Sequence, residues 1–238
     1  MKIISIDVGI KNLAICALDI LPTSHSILKW KIINCIQVHT SPCCVFRRGK
    51  RCNHAAVNSV MTDSDQELGY CTLKTCQREM RSSYGPKKIK KIKKINCNKI
   101  SLDILGVEIY KHLALLGNLD EYEHIVIENQ PVLKNPRMKS VQMLIYSFFL
   151  FQSIENNYSY VIKLFSARNK LNIYDGPEIK SDIKNKYALR KYLSVEYTKY
   201  FLAKYNNEYL DFFTISRKKD DLADSYLQGL TFYKRLTR

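Results

Sequence analysis

The chain has 238 residues, 46% of them apolar, enough for one large domain or a domain with a small insert. Its 38 Lys and Arg outnumber 22 Asp and Glu, and the formal charge of +16 points to a polyanionic partner, most often nucleic acid. No run of about eighteen apolar residues is present, which argues against a membrane span, and the apolar N-terminus is broken by Asp7, Lys11 and Asn12, which argues against a signal peptide.

Ile3, Ile4 and Ile6 form a β-branched run that ends in Asp7. Gly9 and Asn12 mark a turn, and Leu13 to Leu18 make a second apolar run. Residues 1–20 therefore read as a hairpin with a carboxylate at its turn. Capping the turn is the plain role for Asp7. A buried, unpaired carboxylate is costly or takes up a proton, and a bound cation removes that cost. Ile27 to Val38 reads as a third antiparallel strand.

From Ser41 to about Ile100 the chain turns polar, Cys-rich and Lys-rich. Residues 41–98 read as an insertion, leaving 1–40 and 99–238 as the main domain. Helical spacing resumes with Leu102, Leu105, Ile109, Leu113 and Leu116. His124 to Glu128 (HIVIE) is a short apolar strand that also ends in an acid. A long helix from near Arg137 carries Met138, Val141, Leu144, Ile145, Phe148 and Phe149, and Tyr160 to Phe165 is a fifth strand. Residues 168–181 read as a loop, Tyr187 to Tyr205 as a charged helix, and Lys219 to Lys234 as the last helix.

That last helix opens with KKDDLADSYLQGL. Asp221 and Asp224 are three apart and Asp220 and Asp224 four apart, so either pair projects from one face. Asp in a first turn also compensates the helix dipole. Taken with Asp7 and Glu128, however, the acids form a set that could meet. Carboxylates converging on one spot repel unless divalent cations sit between them. Hard oxygen donors suit Mg²⁺ or Mn²⁺, and two such ions about 3.5–4 Å apart support phosphodiester hydrolysis. A basic chain with such a site is expected to be a nuclease.

The segments ISIDVGIKNLAICALD, IVIENQP and KKDDLADSYLQ resemble the three acidic motifs of the RuvC-like, RNase H-fold Holliday junction resolvases, above all the poxvirus-type resolvases of large DNA viruses. The resemblance spans residues 1–40 and about 100–238. It implies an α/β fold with an RNase H-like mixed five-stranded sheet flanked by helices. It further implies Asp7, Glu128, Asp221 and Asp224 as catalytic acids and ligands of two Mg²⁺ (or Mn²⁺) ions per site. A lysine that the family uses ahead of the last helix is matched by Lys191, with Lys186 a competing assignment. Its role would be electrostatic, near the attacked phosphate. The same resemblance implies a homodimer that cuts opposed strands of branched, four-way DNA, with no membrane partner. The setting it implies is viral recombination or processing of replication intermediates, in host cytoplasm, viral factory or nucleus.

Five of the eight cysteines, Cys43, Cys44, Cys52, Cys71 and Cys76, lie between residues 43 and 76. The distribution fits a local structural Zn²⁺ site in a reducing compartment better than a disulfide framework. One of Cys43 or Cys44 would join Cys52, Cys71 and Cys76, with His54 an alternative to Cys52. A segment so poor in apolar residues is expected to depend on the metal for its order. Between residues 41 and 100 there are 14 Lys and Arg against 4 Asp and Glu, so ten of the sixteen excess charges sit there. Residues 86–95, PKKIKKIKKI, hold six lysines in ten positions, suited to phosphate backbones or to a nuclear-localisation signal. Two rival classes stand beside the nuclease. A sugar kinase or actin-like ATPase shares a DxG hairpin but calls for Gly-rich phosphate loops, and the eight glycines here are not clustered. A non-catalytic binding module would use the insertion alone, its acids being structural.

Overall fold

The structure is a computed structural model that describes residues 1–36, 42–47, 49–52, 54–92, 96–133 and 135–237. Lys93 and Lys94 of the lysine-rich run, and residues 37–41 at the insertion's start, lie outside the described residues. In chain order the strands β1 (Lys2–Asp7), β2 (Asn12–Ile20) and β3 (His25–Asn34) come first. Then follow β4 (Phe46–Arg47), β5 (Lys50–Arg51), β6 (Asn58–Met61), β7 (Glu67–Tyr70), α1 (Lys74–Ser83) and β8 (Ile89–Lys91). The chain continues with α2 (Leu102–Ala114), β9 (His124–Glu128), α3 (Pro136–Asn156), β10 (Val161–Phe165), α4 (Lys186–Tyr205), α5 (Leu210–Ile215) and α6 (Lys219–Leu236). Two compact units result, Met1–Ile36 with Ile100–Arg238, and Gln37–Lys99.

The larger unit is built on a mixed five-stranded sheet in the order β10-β9-β1-β2-β3. β1 runs antiparallel to β2 and parallel to β9, and β10 is parallel to β9. Gly9 shapes the first turn, since a side chain there would collide with the Asn12 carbonyl. β1 and β2 are apolar on both faces because both faces are covered: Ile3, Ile4, Ile6, Leu13, Ile15 and Leu18 are all fully buried. Burying each such side chain is worth about 1.5–3 kcal/mol.

Strand alternation divides the sheet's residues between two layers. Ile3, Leu18, Trp30 and Val126 face α6 together with parts of α4 and α5, and α3, backed by α2, packs on β9 and β10. α6 is buried without interruption from Ser225 to Phe232, an all-round burial that a surface helix does not show. Its close seat on the sheet depends on Gly229, where a Cβ would come within 2.6 Å of Leu18 Cδ1 and 3.1 Å of Ser5 Cβ. Two polar ties fix its position. Gln228 Nε2 donates to the Ile6 carbonyl at 3.1 Å and to Ser5 Oγ at 3.2 Å, and Trp30 Nε1 donates to the Leu222 carbonyl at 3.2 Å. Buried polar groups satisfied in this way specify one arrangement of helix on strand.

The main elements follow the sequence pattern, with three differences. The stretch read as a loop from residue 168 begins with a 3₁₀ segment, Ala167–Ile173, packed against α6. The short helix α5 interrupts what reads as a connection. The smaller unit holds a two-stranded ribbon, β4-β5, and a three-stranded sheet, β7-β6-β8. It has a small apolar cluster of its own, in which Val45, Val60, Tyr70 and Met80 surround three thiols. Among the described residues no helix is long and apolar enough to cross a membrane.

Candidate functional site

The parallel register pairs Ile6 with Ile127, which sets the strand-ending acids Asp7 and Glu128 side by side on neighbouring strands. α6 brings Asp220 and Asp221 in its first turn and Asp224 one turn on. Asp224 lies one further turn from the Gln228 clamp, so the hydrogen bonds that seat α6 on β1 also aim this acid at the strand ends. The carboxyl of Asp7 is held well above the usual carboxylate range, first by burial, then by the charges of Glu128 and Asp224 and a hydrogen bond with Glu128. Burial and the neighbouring acids thus disfavour the charged form of Asp7, a cost that a bound dication would remove.

Asp221 is raised by burial and by its neighbour Asp220, opposed by Lys218, whose Nζ is 3.8 Å from Asp221 Oδ2. Asp220 behaves differently. Burial works to raise it, but Lys191 Nζ donates to its Oδ2 at 2.5 Å, and the hydrogen bond and charge together hold it below its ordinary value. The same contact raises Lys191, whose ammonium also sits 5.1 Å from the centroid of the Tyr187 ring.

Glu128, Asp221 and Asp224 line a cleft of about 610 Å³, and Arg168, Lys170, Arg190, Lys191 and Tyr187 line it as well. Asp7 and Asp220 are not part of the lining, and neither is Lys186, exposed at the start of α4. Acids and cations that line one cleft suit a phosphodiester approaching cations bound on the acids.

Three contributors were not legible as site residues in the sequence. Lys170, on the 3₁₀ segment, forms an ion pair with Asp224 Oδ2, and its side chain is only 12% exposed. Ser194 Oγ donates to Asp224 Oδ1 at 2.7 Å. Gln130 Nε2 donates to Glu128 Oε2 at 2.6 Å, while its backbone N–H is held by the buried Gln142 at 2.8 Å. Ser194 is three residues after Lys191 on α4, and that spacing was an available signal. Lys170 had none, because nothing periodic marks the segment that carries it.

In the smaller unit the sulfurs of Cys43, Cys52, Cys71 and Cys76 all lie within 4.8 Å of one another. Of the adjacent pair, Cys43 is the member of this group, and the Cys44 side chain lies near Tyr70 instead. His54 Nδ1 is 3.4 Å from Cys52 Sγ, beside the group and not within it. Burial pushes the Cys71 thiol up to about 12 and raises that of Cys43. Four sulfur donors around one point are the donor set of a structural Zn²⁺ site, and a dication there would release the thiol protons.

No protein-family model matches the chain. A sequence relative is an uncharacterised protein of Acanthamoeba polyphaga mimivirus, 27% identical over 312 aligned positions that span 96% of this chain and 74% of the relative. Three solved structures share the fold. The yeast mitochondrial Holliday junction resolvase matches with a TM-score of 0.50 and 16% identity over 98% of this chain and 83% of that one. Fowlpox virus resolvase, solved with its substrate Holliday junction DNA, matches with a TM-score of 0.50 and 13% identity over 100% of both chains. RuvC of Thermus thermophilus matches with a TM-score of 0.50 and 10% identity over 100% of this chain and 97% of that one. The chain has the RuvC-like RNase H fold.

Proposed function

We propose that this protein is a divalent-metal-dependent, structure-selective endonuclease that resolves four-way DNA junctions. What supports the reading is the nearness of Asp7 to Glu128 and Asp224, with Glu128, Asp221 and Asp224 lining one cleft together with several cations, in a RuvC-like fold. The donors suit Mg²⁺ or Mn²⁺, since they are all carboxylate oxygens, and a cation beside Asp7 would offset the burial and neighbouring charge that raise its carboxyl. When bound, such ions supply Lewis-acid activation of the attacking and leaving oxygens in phosphodiester hydrolysis.

The chain's own residues do the rest. Glu128 is oriented by Gln130, and Asp224 by Ser194. Lys191, steadied by Asp220, presents a fixed positive charge on the cleft wall for a phosphate. In the smaller unit the four cysteines would hold Zn²⁺, and its lysines would bind DNA backbone without reading sequence. Paired cuts in a four-way junction need two sites, so the active species is a homodimer, working inside the cell where thiols stay reduced.

The test is to incubate purified protein with labelled four-way junction, duplex, flap and RNA–DNA hybrid, with and without Mg²⁺. Mg²⁺-dependent cutting concentrated on the junction is expected. Equal cutting of all substrates, or cutting of the hybrid alone, would overturn the reading.

A further inference from the structure

Lys170 is the most confined cation of the cleft. Its side chain is 12% exposed, against 41% for Lys191, and lysine is seldom so enclosed unless paired. Its partner is the Oδ2 of Asp224, and its charge also works to lower Asp7, the acid that otherwise most resists ionisation. The placement is built in. The Lys170 carbonyl accepts from Thr231 Oγ1 at 3.2 Å, so the helix that carries Asp224 also holds the backbone of the lysine that neutralises it. Ser194 occupies the other Asp224 oxygen, and an ion approaching this acid meets the Lys170 ammonium on the one that remains.

We infer that Lys170 is a placeholder cation. Its ammonium occupies the oxygen that a divalent ion takes, keeps the acid cluster assembled while the ion is absent, and is displaced when the ion binds. The inference rests on the nuclease reading of the acids. An ammonium is a compact charge on a flexible four-carbon stem, so it can leave one carboxylate oxygen and remain in the cleft. Lys191 does not share this role, because it is committed to Asp220, outside the cleft lining.

The experiment follows ion binding without DNA. Wild type, K170M and K170R are titrated with Mn²⁺ and followed by calorimetry. In parallel, the unmodified protein is treated with an amine-acylating reagent, with and without Ca²⁺, and the labelled lysines are mapped by mass. Removing the competitor is expected to tighten Mn²⁺ binding in K170M by about tenfold or more, equivalent to about 1.4 kcal/mol. The melting temperature of ion-free K170M should fall, K170R should stay near wild type in both respects, and Ca²⁺ should increase acylation at Lys170. Unchanged or weaker Mn²⁺ binding by K170M, with Ca²⁺-indifferent labelling, would overturn the placeholder and leave the nuclease reading standing. Ion binding by none of the three proteins would overturn both. The labelling arm uses unaltered protein, so it decides the matter even where a variant folds poorly.

Discussion

Asp7 and Glu128 end adjacent parallel strands in register, and the charge of Glu128 adds to burial in disfavouring the ionised form of Asp7. The folded chain therefore raises the proton affinity of Asp7, and the linkage has a definite sign. Between its ordinary value near 3.8 and the raised folded value, the native state holds a proton that the unfolded state has lost. Ion-free stability thus declines as pH rises through that window. Asp7→Asn should abolish cleavage, by at least about 10²-fold, while leaving junction binding intact. The same change should raise the ion-free melting temperature by about 2–4 °C per kcal/mol gained. Thermal melts with and without Mg²⁺ check this, because added ion should stabilise wild type and not the variant.

The two neighbouring aspartates at the start of α6 should separate cleanly. Asp220 is occupied by Lys191, and Asp221 lines the cleft. Asp221→Asn is expected to weaken Mn²⁺ binding by about tenfold or more, whereas Asp220→Asn should leave it within about twofold and slow cleavage by releasing Lys191. Mn²⁺ calorimetry beside junction-cleavage rates reads both effects.

Protein purified without chelator should carry about one Zn²⁺ per chain. Cys76→Ser should lose it, and Cys44→Ser should keep it, since Cys43 is the thiol in the group. Elemental analysis with amide hydrogen exchange tests this. Chelation should loosen residues 42–92 and leave the strands of the larger unit protected.

His25 sets an acid limit on the larger unit. Its Nε2 lies 2.5 Å from Tyr226 Oη, and burial lowers its value from 6.5 to about 4. The unfolded chain takes up a proton below about 6.5 that the folded chain refuses until about 4, so stability is lost as pH falls through that window and levels off below it. Chemical denaturation at pH 7, 6, 5 and 4 should show this decline, and His25→Gln should flatten it.

The elements that place the acids were readable because each carries a strong apolar pattern. The apolar runs of β1 and β9 end in their acids, and apolar residues recur at helical spacing in the sequence of α3 (Val141, Ile145, Phe148, Phe149) and of α6 (Ala223, Tyr226, Leu227, Leu230). What escaped is set by tertiary contact. Lys170 lies on a 3₁₀ segment that exists because α6 supports it. The strands of the smaller unit are two to four residues long and pair around thiols, too short for any periodicity to register. Cys43 and Cys44 could not be told apart in sequence because successive residues of extended chain point to opposite sides, and only the neighbouring strand decides which side holds the other sulfurs.

Gly229 lies five residues beyond Asp224 and contacts no acid, yet it sets the gap between helix and sheet. Any side chain there would act as a shim, lifting the helix and widening the span between carboxyl groups carried on separate elements. The placement of the helix-borne acids is thus governed in part from the contact of Gly229 with Leu18 and Ser5 on the sheet. A residue that has no side chain at all thereby helps to set where the helix-borne carboxyl groups stand.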